Sequence, residues 1–321
     1  MPREGANDVR KILCIDGGGI KGVFPAAFLA ALEENLEAPI GRYFDLIVGT
    51  STGGILSLGL GLDYSARELL DFYIDDGAAI FPPRKRIARI RQLRRPLYDP
   101  GPLKSALVDV FGERKLGECR TRVVVPSLNL ETGEVHVYKT SHHPRLVMDY
   151  KKRVVDVALA TAAAPTYFPA HEDDVGAPLV DGGTWANNPA GAAVVEALGV
   201  LEWPPRQLRV LSIGCTSEPF DGKPRVRRRS GATHWIRHLT ATFMAGQSSA
   251  SIGTAQLLAG HENVHRVNPI VPPARYRLDN VGGIEGLRGL GYSEARKAAP
   301  TLDYMFKDLA DRFLPYHRLE T

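Results

Sequence analysis

Two short glycine-containing turns near the start of the chain restrict its fold more than any other feature. The first reads Asp-Gly-Gly-Gly-Ile-Lys-Gly at residues 16–22, and the second reads Gly-Thr-Ser-Thr-Gly at residues 49–53. Each follows an apolar run that predicts a strand and precedes an alanine- or leucine-rich run that predicts a helix. Two such units predict an α/β fold with a parallel sheet, and both turns lie at its carboxyl edge, where ligands bind in such folds.

The second turn matches the G-x-S-x-G pattern of a serine nucleophile. In this pattern the serine occupies a sharp turn, and the flanking glycines, here Gly49 and Gly53, let neighbouring backbone pass without a Cβ clash. The hydroxyl then lies at a helix N-terminus, where partial positive charge favours a developing oxyanion. Ser51 is therefore the candidate nucleophile. The alternative is a small-residue turn without chemistry, since the five-residue pattern alone also occurs by chance.

The glycine loop has two interpretations. Gly17, Gly19 and Gly22 satisfy the G-x-G-x-x-G pattern of dinucleotide-binding domains, which also needs an acidic residue at the end of the second strand. That strand, residues 46–48, continues directly into the serine turn and offers no such residue. Consecutive amides from Gly17, Gly18 and Gly19 suit an oxyanion hole better. Lys21 either adds positive charge there or is a solvated lysine at a helix start.

No histidine stands out as the base that would activate the serine. The chain has nine histidines, and none lies in a motif that marks it as catalytic. Asp181 is a different candidate, because it ends an apolar run and is followed by Gly182 and Gly183. A carboxylate beside the serine can accept its proton directly if burial raises the carboxyl pKa above its usual value of about 3.9. The alternative is an aspartate that only caps a turn, which the local sequence by itself favours.

Together, residues 16–22, 49–54 and 181–183 resemble the three signatures of patatin-like phospholipases. Intervening blocks, including residues 160–165 and 185–189, also resemble this family, over about residues 10–215 and more weakly beyond. The resemblance implies one three-layer α/β/α domain over residues 1–321, with a helical portion at about residues 230–315. It also implies a serine acyl hydrolase in which Ser51 is the nucleophile, Asp181 is its base and Gly17, Gly18 and Gly19 form the oxyanion hole.

The resemblance is strongest to short bacterial patatins that act as effectors in cyclic-oligonucleotide antiphage signalling. It implies a phospholipid substrate at a membrane surface and activation by a cyclic di- or trinucleotide, although no nucleotide-binding motif is found in the sequence. No cofactor is expected. No metal is expected either, since the sequence has no clustered His/Cys ligand set and the chemistry requires none.

Composition restricts the compartment and the partners. A net charge of +4 is too small to indicate DNA or RNA binding. The three cysteines, none in a C-x-x-C pair, predict buried thiols in a reducing compartment. The polar N-terminus has no signal-peptide core, so we expect a cytoplasmic enzyme that acts peripherally on the inner membrane. Residues 239–260 carry no charge but are too polar for a lipid-facing helix, which predicts packing within the fold or against a second subunit.

A basic segment at residues 84–95 is a candidate membrane contact. Its seven Arg and Lys residues surround Ile87, Ile90 and Leu93, which fall within an arc of about 120° on a helix. This pattern is typical of an interfacial helix, with Arg89, Arg91 and Arg94 among the candidate membrane or anion contacts. The alternative is a surface helix with a solvated basic face. A second basic cluster, residues 223–229, has no apolar stripe and predicts a surface loop.

Two other functions remain open from the sequence. One is an α/β-hydrolase with a Ser-Asp-His triad, in which His261 or His265 is the base, although that fold places its serine turn deeper in the chain. The other is a non-catalytic module that senses a ligand on the same scaffold.

Further predicted elements are a capped helix starting at Ser65, a hairpin of residues 122–125 and 135–138, a strand at 208–213 and a final helix at about 293–313.

Overall fold

The computed structural model describes residues 9–83, 95–219 and 231–319. The basic segment with Arg89, Arg91 and Arg94 lies outside the described residues, apart from its last residue, and so does the second basic cluster at residues 223–229.

A mixed, mostly parallel sheet forms the centre of the described structure. It has the order β5-β6-β3-β2-β1-β7-β8, and β4 pairs with β3. The pairs β1–β2, β1–β7, β2–β3 and β7–β8 are parallel, whereas β3–β4, β3–β6 and β5–β6 are antiparallel. The strands are β1 (Arg10–Ile15), β2 (Leu46–Gly49), β3 (Arg122–Asn129), β4 (Val135–Lys139), β5 (His171–Glu172), β6 (Pro178–Asp181), β7 (Leu208–Ile213) and β8 (Val264–Val267).

Helices cover both faces of this sheet. Because successive strand residues point to opposite faces, Leu13 and Ile15 belong to one buried cluster and Ile12 and Cys14 to the other. The α/β class with three layers is therefore confirmed. The α-helices are α1 (Val23–Glu33), α2 (Thr52–Gly61), α3 (Ala66–Ile80), α4 (Gly101–Phe111), α5 (Val154–Ala162), α6 (Gly183–Ala186), α7 (Ala190–Gly199), α8 (Ala232–Ala259) and α9 (Ile284–Leu302).

Most elements predicted from local patterns are present. Ser65 and Glu68 form the reciprocal capping box that opens α3, and the hairpin is the β3–β4 pair. The strand at 208–213 is β7. The three cysteines are free and buried, as predicted.

The predicted final helix at 293–313 is wrong in both bounds. The helix that forms, α9, begins earlier, at Ile284, and its Gly291 packs closely on α1, where an added Cβ would lie 2.7 Å from the Phe24 carbonyl oxygen. Glycines lower helix propensity, so the sequence pattern placed the start too late. It ends earlier because the following chain turns away, and the Met305 carbonyl accepts a hydrogen bond from Lys11.

The uncharged stretch at residues 239–260 lies almost wholly in α8. Ala255 and Ala259 of this helix pack in the same buried cluster as Ala193 of α7. Among the described residues, no helix is both long enough and apolar enough to cross a membrane. The C-terminal portion is not only helical, because it also supplies β8 to the sheet.

Candidate active site

The two glycine turns lie side by side, as the sequence predicts. Strands β1 and β2 are parallel neighbours, and Ile15 at the end of β1 is in register with Gly49 at the end of β2. Since the chain leaves each strand at this edge, the loop at residues 16–22 and the turn that carries Ser51 line one cleft.

Ser51 occupies the strained turn that its pattern predicts. Its φ of 56° and ψ of −123° fall in a region that non-glycine residues rarely adopt. The neighbouring chain is too close for side chains, because a Cβ at Gly49 would lie 2.0 Å from the Gly53 carbonyl oxygen and one at Gly53 would lie 2.2 Å from the Ile15 oxygen. These close approaches explain why both flanking positions are glycines.

A threonine that the sequence reasoning did not single out holds this turn in place. The backbone N–H of Ser51 donates to Thr161 Oγ1 at 3.0 Å, and the Thr161 hydroxyl donates to the Pro126 carbonyl at 2.6 Å. Thr161 is fully buried on α5. Its hydroxyl therefore links the serine turn to α5 and β3 at once.

The sheet brings Asp181 to the same place. Strand β3 is longer than β2, so that Val48 pairs with Val124 while Ser127, further along β3, pairs with Asp181 of the antiparallel β6. Asp181 is 5% exposed, lines the cleft beside Ser51 and accepts a hydrogen bond from the Gly183 N–H at 2.6 Å. Burial raises the pKa of Asp181 to about 6, and the neighbouring Ser51 hydroxyl and Gly183 N–H act in the opposite direction.

The glycine loop presents two unpaired amides rather than three. The N–H of Gly17 donates to the Asn187 carbonyl at 3.0 Å. The N–H groups of Gly18 and Gly19 have no partner in the described part of the chain, and both residues line the cleft with Ser51. The amide of Gly17, which the sequence reasoning included in the oxyanion hole, is thus already occupied.

The remaining motif glycines lie where the loops pack against each other. Gly22 packs against Thr52 at the start of α2, and Gly182 packs against the Pro126 carbonyl. Lys21 lines the cleft, and its Nζ lies 3.5 Å from the Thr216 carbonyl oxygen.

The cleft is lined by both apolar and polar residues. Its large buried side chains are Ile55, Phe72, Ile80, Phe81, Leu103 and Phe168. Thr216, Asn268 and Arg277 also line it. Such a mixed lining can accommodate an ester that has one apolar and one polar substituent.

The histidines of the alternative triad do not line this cleft. His261 lies just beyond α8, and His265 lies in β8, where it pairs with Leu211. No histidine with a described side chain lines the cleft. The buried His142 is engaged elsewhere, between Thr140 and Glu196.

Comparison with known proteins identifies the family of this chain. The sequence profile of the patatin-like phospholipase family matches residues 13–194, which is more than half of the chain. The chain belongs to the patatin-like phospholipases, which are carboxylic ester hydrolases.

Two curated relatives are similar to this chain over most of its length. The chain is 38% identical over 239 residues to a cGAMP-activated phospholipase of Vibrio cholerae, covering 68% of this chain and 67% of the relative. It is 41% identical over 207 residues to a cGAMP-activated phospholipase of Pseudomonas aeruginosa, covering 63% of this chain and 61% of the relative. The chain thus spans about two thirds of the length of these relatives.

A solved structure supports the fold. VipD from Legionella pneumophila has a TM-score of 0.50 at 11% identity, covering 92% of this chain and 67% of that protein. At this identity the likeness concerns the fold alone.

Proposed function

We propose that this chain cleaves fatty acyl esters of membrane phospholipids with a Ser51–Asp181 dyad. The observation that carries the proposal is the position of Ser51 beside the buried carboxyl of Asp181, whose pKa is raised to about 6. A base of this strength is better matched to neutral pH than an ordinary aspartate. The unpaired amides of Gly18 and Gly19 and the apolar residues that line the cleft also support an acyl hydrolase.

The mechanism has two half-reactions. Asp181 accepts the proton of the Ser51 hydroxyl while Oγ attacks the ester carbonyl, and the amides of Gly18 and Gly19 stabilise the tetrahedral oxyanion. Asp181 then gives the proton to the alkoxide, which departs as an alcohol. Ser51 remains acylated. Water enters, loses its proton to Asp181 and attacks the acyl carbon. The fatty acid departs, and the proton returns to Ser51.

Activation by a cyclic nucleotide is part of the proposal. It is supported by the curated relatives, which are named cGAMP-activated phospholipases. The proposal also includes the signalling context expected from the sequence, which is antiphage defence in the cytoplasm with action on the inner membrane surface. A cyclic di- or trinucleotide that binds the active conformation more tightly than the resting one would raise the rate of hydrolysis.

Substitution of the nucleophile tests this function. Hydrolysis of phospholipid vesicles should be measured for the wild type and Ser51→Ala, with and without cGAMP and a panel of other cyclic nucleotides. The wild type should release fatty acid and bind a fluorophosphonate probe covalently, and Ser51→Ala should do neither. Hydrolysis by Ser51→Ala at more than a trace would remove Ser51 from the mechanism.

The same assay separates the two alternatives. Loss of activity in His261→Ala or His265→Ala, equal to the loss in an Asp181 variant, would favour the triad. A wild-type protein that binds a cyclic nucleotide but neither reacts with the probe nor hydrolyses any ester would favour the ligand-sensing module.

A further inference from the structure

An arginine from the C-terminal portion of the chain holds the residue that precedes the glycine loop. Arg266 lies on β8, and its guanidinium reaches across β7 to Asp16 at the end of β1. Nη1 donates to Asp16 Oδ1 at 2.7 Å, and Nη2 donates to Asp16 Oδ2 at 2.5 Å. Nη1 also donates to Ser212 Oγ at 2.8 Å. The pair is thus bidentate and additionally tied to the intervening strand.

This pair is buried beside the cleft. The Asp16 side chain is 6% exposed and that of Arg266 is 18% exposed. Gly214 provides room for the guanidinium, since a Cβ there would lie 2.9 Å from Arg266 Nη2. Burial raises the pKa of Asp16, and Arg266 acts in the opposite direction by favouring the charged carboxylate. Without the guanidinium, Asp16 would be a buried charge with no counter-ion at this contact.

The glycine loop is held through its backbone and through the residues at its two ends, because Gly17, Gly18 and Gly19 have no side chains of their own. Within the loop, the Gly17 N–H donates to the Asn187 carbonyl. At the start, the Asp16 N–H donates to the Ile213 carbonyl and the Asp16 carboxylate is held by Arg266. At the end, the Ile20 N–H donates to the Leu278 carbonyl at 2.9 Å. Between these anchors lie the two unpaired amides.

We propose that Arg266 is a positioning residue of the active site, which acts through Asp16 to hold the amides of Gly18 and Gly19 in the direction of the oxyanion. The inference rests on the proposed acyl hydrolase function. A direct role in substrate binding is less favoured, because both terminal nitrogens of the guanidinium already donate to Asp16 and Ser212. Arg266 also lies outside the segment that the family profile matches, residues 13–194.

The test is steady-state kinetics on a soluble short-chain ester together with urea unfolding. Oxyanion donors act mainly in the transition state, so Arg266→Gln should lower kcat by about 10- to 100-fold and leave KM within about twofold. Arg266→Lys keeps the charge but loses the two parallel hydrogen bonds, and it should recover part of kcat. Arg122→Gln is the matched control. Arg122 is a partly buried arginine at the amino end of β3, whereas the glycine loop lies at the carboxyl ends of the strands. It should lower the urea midpoint without a selective loss of kcat.

The double variant Asp16→Asn/Arg266→Gln separates positioning from stability. Removing both buried charges together should return the urea midpoint toward the wild-type value. If the pair positions the loop, kcat should nevertheless stay low.

Four results would overturn the inference. They are an unchanged kcat in Arg266→Gln, a raised KM with normal kcat, recovery of kcat together with stability in the double variant, and an equal loss of kcat in Arg122→Gln. None of these concerns the nucleophile. Hydrolysis that survives in Ser51→Ala would instead reject the proposed function itself.

Discussion

Asp181 is a carboxylate that the fold holds where its charged form is disfavoured. Burial raises its pKa from the ordinary 3.8 to about 6. The folded state therefore binds this proton more tightly than the unfolded chain does. The linked stability is greatest below about pH 4 and is lost as the pH rises toward 6, because ionisation of a raised carboxyl favours unfolding. At neutral pH the shift corresponds to a cost on the order of 3 kcal/mol.

The same pKa predicts the pH dependence of catalysis. The carboxylate must be unprotonated to accept the proton of Ser51, so kcat/KM for a soluble ester should rise with pH and reach half its plateau near pH 6. A pH series with a non-ionising substrate measures this. A midpoint that moves when His261 or His265 is replaced, but not when Asp181 is replaced, would contradict the assignment.

The variant Asp181→Asn should lose activity and gain stability. Asparagine cannot accept the proton, so kcat should fall by a factor on the order of 10² to 10⁴. Because the desolvated charge is removed, the free energy of unfolding at pH 7 should rise by roughly 1–3 kcal/mol, and the gain should shrink at pH 4. Urea unfolding at the two pH values checks this, with Ser51→Ala as the inactive control that keeps the carboxylate. Equal stability of Asp181→Asn and wild type at pH 7 would mean that the charged Asp181 carboxylate does not destabilise the folded protein.

At the scale of single residues, the sequence predicted which residues belong to the candidate site better than it predicted their hydrogen bonds. Ser51 and Asp181 were found because each lies in a motif with a recognisable chemistry, and the structure brings them together. The occupied amide of Gly17 was not predictable, since it depends on the carbonyl of Asn187, far away in the chain. Every residue has a backbone carbonyl, so the residue type does not reveal which carbonyl accepts a hydrogen bond.

At the scale of elements, the serine turn depends on a helix from another part of the chain. Thr161 on α5 accepts the N–H of Ser51 and donates to the Pro126 carbonyl of β3. The strained backbone at Ser51 persists only if such contacts over-determine it. The threonine lies in an alanine-rich block, residues 160–165, that resembles the family. The sequence pattern does not indicate that its hydroxyl makes these contacts.

Replacing this hydroxyl should loosen the turn. In Thr161→Val, which is nearly the same size, the buried N–H of Ser51 loses its acceptor, at a cost of about 1–3 kcal/mol in the free energy of unfolding. We also expect kcat to fall by about tenfold, since misplacing a nucleophile weakens catalysis. Thr161→Ser keeps the hydroxyl and serves as the control. Urea unfolding and ester kinetics measure the two effects, and a Thr161→Val variant with normal kcat would show that the turn holds without this contact.

Element prediction succeeded where the pattern was local. Strands β1, β2 and β7 and the β3–β4 hairpin have apolar or alternating runs that burial on a sheet explains. The helix α9 was misplaced because its glycines are poor helix formers, and its position is set by close packing on α1. Tertiary contact overrode local propensity there.

At the scale of the whole molecule, the candidate active site is assembled from both ends of the chain. Ser51 and the glycine loop follow the first two strands, while Arg266 and the Leu278 carbonyl hold that loop from the C-terminal portion. Contacts across such separations have no local sequence signature. The sequence therefore predicted the three-layer class and named Ser51 and Asp181, which the fold places in one cleft, but not the contacts that anchor the loop.

Described residues on either side of the basic segment, residues 84–95, lie at the cleft. Phe81, shortly before the segment, lines the cleft, and Leu97 and Tyr98 follow the segment. The N–H groups of Leu97 and Tyr98 donate to the carbonyls of Thr166 and Tyr167, which also line the cleft. A membrane contact in this segment would therefore be close in sequence to residues at the cleft.

The variant Arg89→Gln/Arg91→Gln/Arg94→Gln tests this docking. Each cation near an anionic surface contributes about 1 kcal/mol, so loss of three should weaken binding to anionic vesicles by roughly two orders of magnitude. Wild-type binding should also weaken as salt rises, because the attraction is screened. Vesicle sedimentation in the Ser51→Ala background measures binding without hydrolysis. The matched control is Arg225→Gln/Arg227→Gln/Arg228→Gln, which removes the same charge from the cluster that lacks an apolar stripe. Equal weakening by both variants would assign the effect to net charge rather than to residues 84–95 in particular, and no weakening by either would leave residues 84–95 as a solvated face.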